Sequence, residues 1–180
     1  MIVVLGAGAV GSYYAGLIAK SQQSVTLLAK PERAKAIRNN GLTIQRSDAT
    51  DQICVPISDS YQVIEQADIL LICLKTTSSS HVASEIKPFL RPNTLILSMQ
   101  NGLCNAQELF SIVQQPVYVA MIYAALAMRT DTVVSHQGGG QLVLGNPAAF
   151  PSGQRDLERF VDIFRKANCP VKISENITQD

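Results

Sequence analysis

Apolar residues fall in short runs, separated by stretches whose apolar positions recur at helical spacing. Met1–Leu5 is wholly apolar and rich in β-branched residues, the pattern of a strand covered on both faces. Ala9–Lys20 places Val10, Tyr13, Tyr14, Leu17 and Ile18 on one helical stripe. Ser24–Ala29 predicts a second strand. Pro31 suits the first turn of a second helix, which Asn39-Asn40-Gly41 would end with a left-handed cap. Leu42–Arg46 and Gln52–Val55 alternate about the polar turn 47–50 and predict a hairpin. One or two helical turns at Ser60–Gln66 precede Asp68–Lys75, the strongest buried-strand signal in the chain. A polar loop follows at Thr76–Ser80, then a helix near His81–Leu90, a strand Thr94–Ser98, a helix Asn105–Val113 and a strand Val117–Ala125.

Beyond Met128 the rhythm changes. Thr132–His136 and Gln141–Leu144 predict two antiparallel strands joined around Gly138-Gly139-Gly140. Ser152–Ala167 predicts an amphipathic helix with Leu157, Phe160, Val161 and Phe164 on one face, and Val171–Ser174 a last short strand. Strand and helix alternating at this spacing imply right-handed crossovers and a mostly parallel sheet.

Gly6-Ala7-Gly8-Ala9-Val10-Gly11 is a G-x-G-x-x-G that leaves a predicted strand and opens a predicted helix. In that context Gly6 allows a sharp turn, Gly8 lets a pyrophosphate approach the backbone, and Gly11 allows helix and strand to touch. The amides at the helix start and its dipole then favour phosphate. The expected fold is therefore α/β: a Rossmann-type doubly wound, mostly parallel sheet with an antiparallel extension at its C-terminal edge. Residues 1–180 read as one dinucleotide-binding domain, without internal repeat or linker.

The end of the second strand bears on the cofactor. Binders of NAD usually carry an acidic residue about 20 positions after the glycines, for the ribose hydroxyls. Here the stretch is Leu27-Leu28-Ala29-Lys30-Pro31-Glu32-Arg33. Lys30 and Arg33 suit a 2′-phosphate, so NADP(H) is the expected cofactor. Glu32 keeps NAD as the alternative, and both cations also fit a solvated helix start. Lys75 closes the most apolar strand, and Asn101 follows Thr94–Ser98 in Met99-Gln100-Asn101-Gly102. Ligands of open parallel sheets lie at such strand ends. Lys75 suits a carboxylate or phosphate there and Asn101 a ribose or carbonyl; a snorkelling cation and an ordinary turn are the plainer readings.

Composition narrows the classes. With 47% apolar and 16% charged residues, the 180-residue chain is not intrinsically disordered. Fifteen basic and fourteen acidic side chains leave a net charge of +1, no field for nucleic acid or an anionic membrane. No apolar run approaches the ~20 residues that span a bilayer. The start lacks the basic region of a secretory signal, so a cytoplasmic location is expected. Cys54, Cys73, Cys104 and Cys169 form no C-x-x-C pair and are expected as buried, reduced thiols. His81 and His136 have no close Cys or His neighbour, so no metal site is expected.

The glycine loop, Leu-Leu-Ala-Lys with its following Arg, Leu-Lys at Lys75, Gln-Asn-Gly at Gln100–Gly102, and His136-x-Gly138-x-Gly140 followed by Leu144-Gly145 occur in register along the chain. Together they resemble the N-terminal domain of the ketopantoate reductase (2-dehydropantoate 2-reductase) family. The resemblance implies NADPH-dependent reduction of a 2-oxo acid, ketopantoate to pantoate, in pantothenate biosynthesis. It implies pyrophosphate binding by Gly6, Ala7, Gly8, Ala9, Val10 and Gly11, and 2′-phosphate binding by Lys30. Lys75 and Asn101 would line the nicotinamide and substrate end, Ala127 would lie near a backbone contact to the cofactor, and His136 would be structural. Family members continue into a helical domain whose first helix carries the lysine that protonates the ketone; that helix would begin where Ile177–Asp180 stand. The resemblance thus implies a cofactor-binding half without the catalytic acid, and little or no reductase activity by itself.

Three classes stay open at this point: a reductase completed by a second domain, a non-catalytic NADP(H)-binding module, and a dehydrogenase of similar layout acting on another hydroxy acid. A surface for the further domain is expected at Val119, Ile122 and Leu126, with dimerisation or self-association as its consequence.

Overall fold

A computed structural model describes residues 1–100, 102, 104–147, 150 and 152–177. In chain order the elements are β1 (Ile2–Leu5), α1 (Ala9–Lys20), β2 (Val25–Leu28), α2 (Pro31–Asn40), β3 (Leu42–Gln45), β4 (Thr50–Ile53), β5 (Ile57–Ser58) and β6 (Ile69–Ile72). They continue with α3 (Ser79–Ile86), β7 (Leu95–Ser98), α4 (Cys104–Val113), β8 (Val117–Met128), β9 (Val133–Gly145), α5 (Gly153–Lys166) and β10 (Val171–Ile173). Short 3₁₀ turns occupy Tyr61–Gln66, Thr76–Ser78 and Lys87–Phe89.

All strands join one sheet in the order β4-β3-β9-β8-β7-β6-β1-β2-β5, with β10 on β9. From β5 to β8 every pairing is parallel, giving the strand order of a doubly wound dinucleotide-binding fold. The central strands are apolar throughout because both faces are covered. Val4, Leu71 and Leu97 pack with Tyr14, Ile18, Phe160 and Phe164, while Val3, Leu70 and Ile96 pack with Ile86, Ala106 and Leu109. That split follows from the two-residue period of a strand. Tyr118, buried under α5, donates its hydroxyl to Asp156 Oδ2 at 2.6 Å. Burial and that carboxylate push its phenol up to about 12.

The antiparallel extension is built differently from expectation. Val133–Gly145 is one strand, antiparallel to β8 along its length, and not two strands hinged at the glycines. Its register against β8 shifts between Tyr123 and Leu126. Gly139 has φ +75°, and a Cβ there would lie 2.2 Å from the Tyr123 carbonyl oxygen. The glycines therefore make a bulge that bends the strand without reversing it. Before the bend β9 pairs in parallel with β3; after it, with β10. β5, only two residues long, has no sequence pattern to announce it.

Of the expected surface residues Val119 is covered, while Ile122 and Leu126 are half-buried. Val119 is buried in a cluster with Val143 and Ile177, and Ile122 and Leu126 pack against the other cluster. Among the described residues the exposed large apolar side chains are instead Phe110 and Tyr123. All four cysteines are free, but Cys54 and Cys104 are exposed. At the end of the hairpin Ile53 turns inward, which sends Cys54 out. Among the described residues no helix is long and apolar enough to cross a membrane.

Candidate functional site

The carboxyl ends of β1, β2 and β6 lie side by side, with Leu5 opposite Leu28 and Ile72. A cleft of about 700 Å³ opens beyond them. It gathers Gly6, Ala7 and Gly8 from the loop after β1, Lys30 and Arg33 from the start of α2, and Lys75 from the segment after β6.

The loop after β1 is shaped by its glycines. Gly6 donates its amide to the Leu28 carbonyl at 2.9 Å and turns with φ +108°. A Cβ on Gly6 would lie 2.9 Å from the Cys73 carbonyl oxygen, and one on Gly11 only 1.8 Å from that of Gly6. A Cβ on Gly8 would meet nothing within 4 Å, so the backbone there faces open space. Gly8 is also the N-cap of α1; no side chain caps it, and the first turn holds no acid. The first helical bond runs from Ser12 N to the Gly8 carbonyl at 2.9 Å. The amides of Ala9, Val10 and Gly11 thus have no helical partner and sit at the positive end of the dipole. Open backbone, unpaired amides and positive potential suit a phosphate ester.

Lys30 is the exposed N-cap of α2, and among the described residues no hydrogen bond or ion pair engages its ammonium. Arg33 is engaged. Its Nη2 donates to Asp131 Oδ1 at 2.7 Å, and its Nη1 approaches the Ala7 carbonyl at 3.3 Å. Lys75 does not close a strand, since β6 ends at Ile72; it opens the 3₁₀ turn Thr76–Ser78 and projects from the far wall. Between them Cys73 lines the cleft, its thiol pushed up by burial and so uncharged. Ala127 stands on β8 outside this lining, where its carbonyl accepts from Ser135 Oγ at 3.2 Å. Asn101 lies outside the described residues. His136 packs on Tyr13 with ring centroids 4.8 Å apart and its Nε2 is 3.2 Å from the Gly139 carbonyl, a structural placement.

Sequence reasoning gave Gln100 no role. It is buried, donates Nε2 to the Leu74 carbonyl at 2.8 Å, and also bonds the Ser79 hydroxyl. One amide thereby ties the end of β7 to both sides of the Lys75 turn. The signal in the sequence is an amide two residues past a buried strand, and its partner is not readable there. Gln100→Leu would leave the Leu74 carbonyl without this donor. Expected is a stability loss of roughly 1–3 kcal/mol in denaturant titration, with Gln100→Glu no better because a carboxylate donates no N–H.

The sequence model of the family described as ketopantoate reductase PanE/ApbA matches residues 2–149. The 2-dehydropantoate 2-reductase of Halobacterium salinarum is 30% identical over 147 residues, 80% of this chain and 48% of its own length. That of Pyrococcus horikoshii is 26% identical over 182 residues, 98% of this chain and 56% of its own. The chain spans about half the length of these relatives. The crystal structure of a PanE/ApbA family ketopantoate reductase from Ralstonia eutropha superposes with a TM-score of 0.87 at 36% identity, over 98% of this chain and 57% of that one. D-mandelate dehydrogenase in a ternary structure with NADH matches with a TM-score of 0.84 at 20% identity, a likeness of fold alone.

Proposed function

Because the chain belongs to the ketopantoate reductase PanE/ApbA family, we propose that it is the dinucleotide-binding half of an NADPH-dependent reductase of a 2-oxo acid, with 2-dehydropantoate as substrate. The observation that carries the cofactor assignment is one cleft combining an uncapped α1 start over Gly8 with a free ammonium at Lys30, where NAD binders place an acid. Gly6, Ala7, Gly8, Ala9, Val10 and Gly11 would hold the pyrophosphate through backbone amides. Lys30, with Arg33 beside it, would hold the 2′-phosphate. Lys75, which lines the same cleft, and Asn101 would serve the nicotinamide and substrate end. Ala127, outside the cleft lining, keeps only a peripheral part in this proposal.

Held by these residues, NADPH would supply a hydride to a ketone carbon. The chain's part would be to hold and orient it. The alkoxide formed needs a proton donor, a contribution typically worth about 10²–10⁴-fold. We assign that group to the half of the relatives' length that this chain does not span. The same division keeps a purely NADP(H)-binding role as the alternative.

The test is titration of the purified chain with NADPH, followed by nicotinamide fluorescence. Saturation at submillimolar cofactor is expected, tighter than for NADH. No saturable binding would refute the reading. Reduction of 2-dehydropantoate after adding the C-terminal half of a relative would separate the reductase from the binding module.

A further inference from the structure

β2 ends without a carboxylate, yet the tertiary structure brings one to Arg33: Asp131, which stands behind the guanidinium and outside the cleft lining, where the carboxylates are Asp59 and Glu85. Asp131 stands in the turn between β8 and β9, 98 positions along the chain from Arg33, and its Oδ1 accepts from Arg33 Nη2 at 2.7 Å. Arg33 Nη1 is 3.4 Å from the Asp131 carbonyl oxygen and 3.3 Å from that of Ala7, within the glycine loop. The guanidinium is therefore held at the mouth of the phosphate cradle with three of its five N–H donors turned to protein acceptors. The turn that presents Asp131 is itself fixed: Thr130 Oγ1 accepts from the amides of Thr132 and Val133 at 3.2 and 3.1 Å. The Asp131 side chain is 68% exposed and that of Arg33 29%, so the pair is accessible from solvent.

We propose that Asp131 is a cofactor-discriminating residue, which holds Arg33 and so sets the preference for NADP(H) over NAD(H) below what Lys30 and Arg33 would give alone. The inference rests on the NADP(H) reading of the cleft. A 2′-phosphate that binds Arg33 must share the guanidinium with the Asp131 carboxylate or displace it. NAD(H) carries no group at that position and is indifferent to the exchange. A strap that merely held the turn in place would act on both cofactors alike, so the ratio of affinities separates the two roles.

The experiment is fluorescence titration of wild type, Asp131→Ala, Asp131→Asn and Arg33→Met/Asp131→Ala with NADPH and with NADH, alongside thermal unfolding to confirm that each is folded. Expected is a tightening of NADPH by about three- to fivefold in Asp131→Ala, the range of an exposed ion pair, with NADH changed less than about twofold. Asp131→Asn should fall between, and the gain should vanish in the double variant. A ratio that stays constant in both single variants overturns the proposal. So does a ratio that falls, which would make Asp131 an orienting partner of Arg33. Wild type binding neither cofactor would instead defeat the reading of the cleft itself.

Discussion

Gly11→Ala is expected to destabilise the protein by about 3 kcal/mol or more and to abolish cofactor binding. The methyl carbon would sit 1.8 Å from the Gly6 carbonyl oxygen, a backbone atom that no rotamer change can move. Relief requires α1 to withdraw from the loop, and α1 is packed through buried Tyr14, Ala15 and Ile18. Overpacking of a close-packed core costs about 1–3 kcal/mol when neighbours can adjust, and more when they cannot. For a domain of this size the thermal midpoint should fall by roughly 6–12 °C. Gly8→Ala is the control, since its methyl meets no protein atom within 4 Å and φ −77° suits alanine. It should leave the midpoint within about 2 °C, yet weaken NADPH by at least about tenfold if a pyrophosphate lies over Gly8. Loss of binding without loss of stability would mark that space as reserved for ligand. A Gly8→Ala variant that binds NADPH like wild type would move the cradle elsewhere.

Lys30→Glu is expected to weaken NADPH by about 100-fold while changing NADH by less than about threefold. A charge-assisted hydrogen bond is worth about 1.5–3 kcal/mol, and reversal of the charge adds repulsion of the 2′-phosphate. Lys30 is exposed at the N-cap of α2 and makes no side-chain cap, so the substitution should not disturb folding. An acid at this position also restores the group that holds the ribose hydroxyls in NAD binders. The two titrations by nicotinamide fluorescence check it. Equal weakening of both cofactors would mean that Lys30 acts only through the general field of the cleft, and the 2′-phosphate assignment would fail.

Both outcomes have local causes. The strand–glycine–helix unit from Ile2 to Lys20 was legible from the chain because its determinants are neighbours: an apolar run, three glycines and a helical stripe, with Gly11 pressed against Gly6 five residues away. Lys30 was legible for the same reason, since a β-strand ending at Leu28 and a proline at position 31 leave it nowhere but the strand end. The apolar strands were readable too, because a sheet covered on both faces needs every position apolar.

Tertiary structure decided the rest. Whether Gly138–Gly140 reverse the chain or only bend it depends on β8, whose Tyr123 carbonyl closes on Gly139. Gln100 finds its acceptor on the segment after β6, and Val119 is buried with Val143 of β9 and with Ile177, 58 positions further on. Arg33, read as a free cation near a phosphate, is held by a carboxylate 98 residues distant. Propensity, turn chemistry and apolar period act between near neighbours, and these the sequence by itself determined. Which distant donor meets which acceptor is settled only when the sheet has assembled its strands, and there the pairing that tunes the cleft was decided.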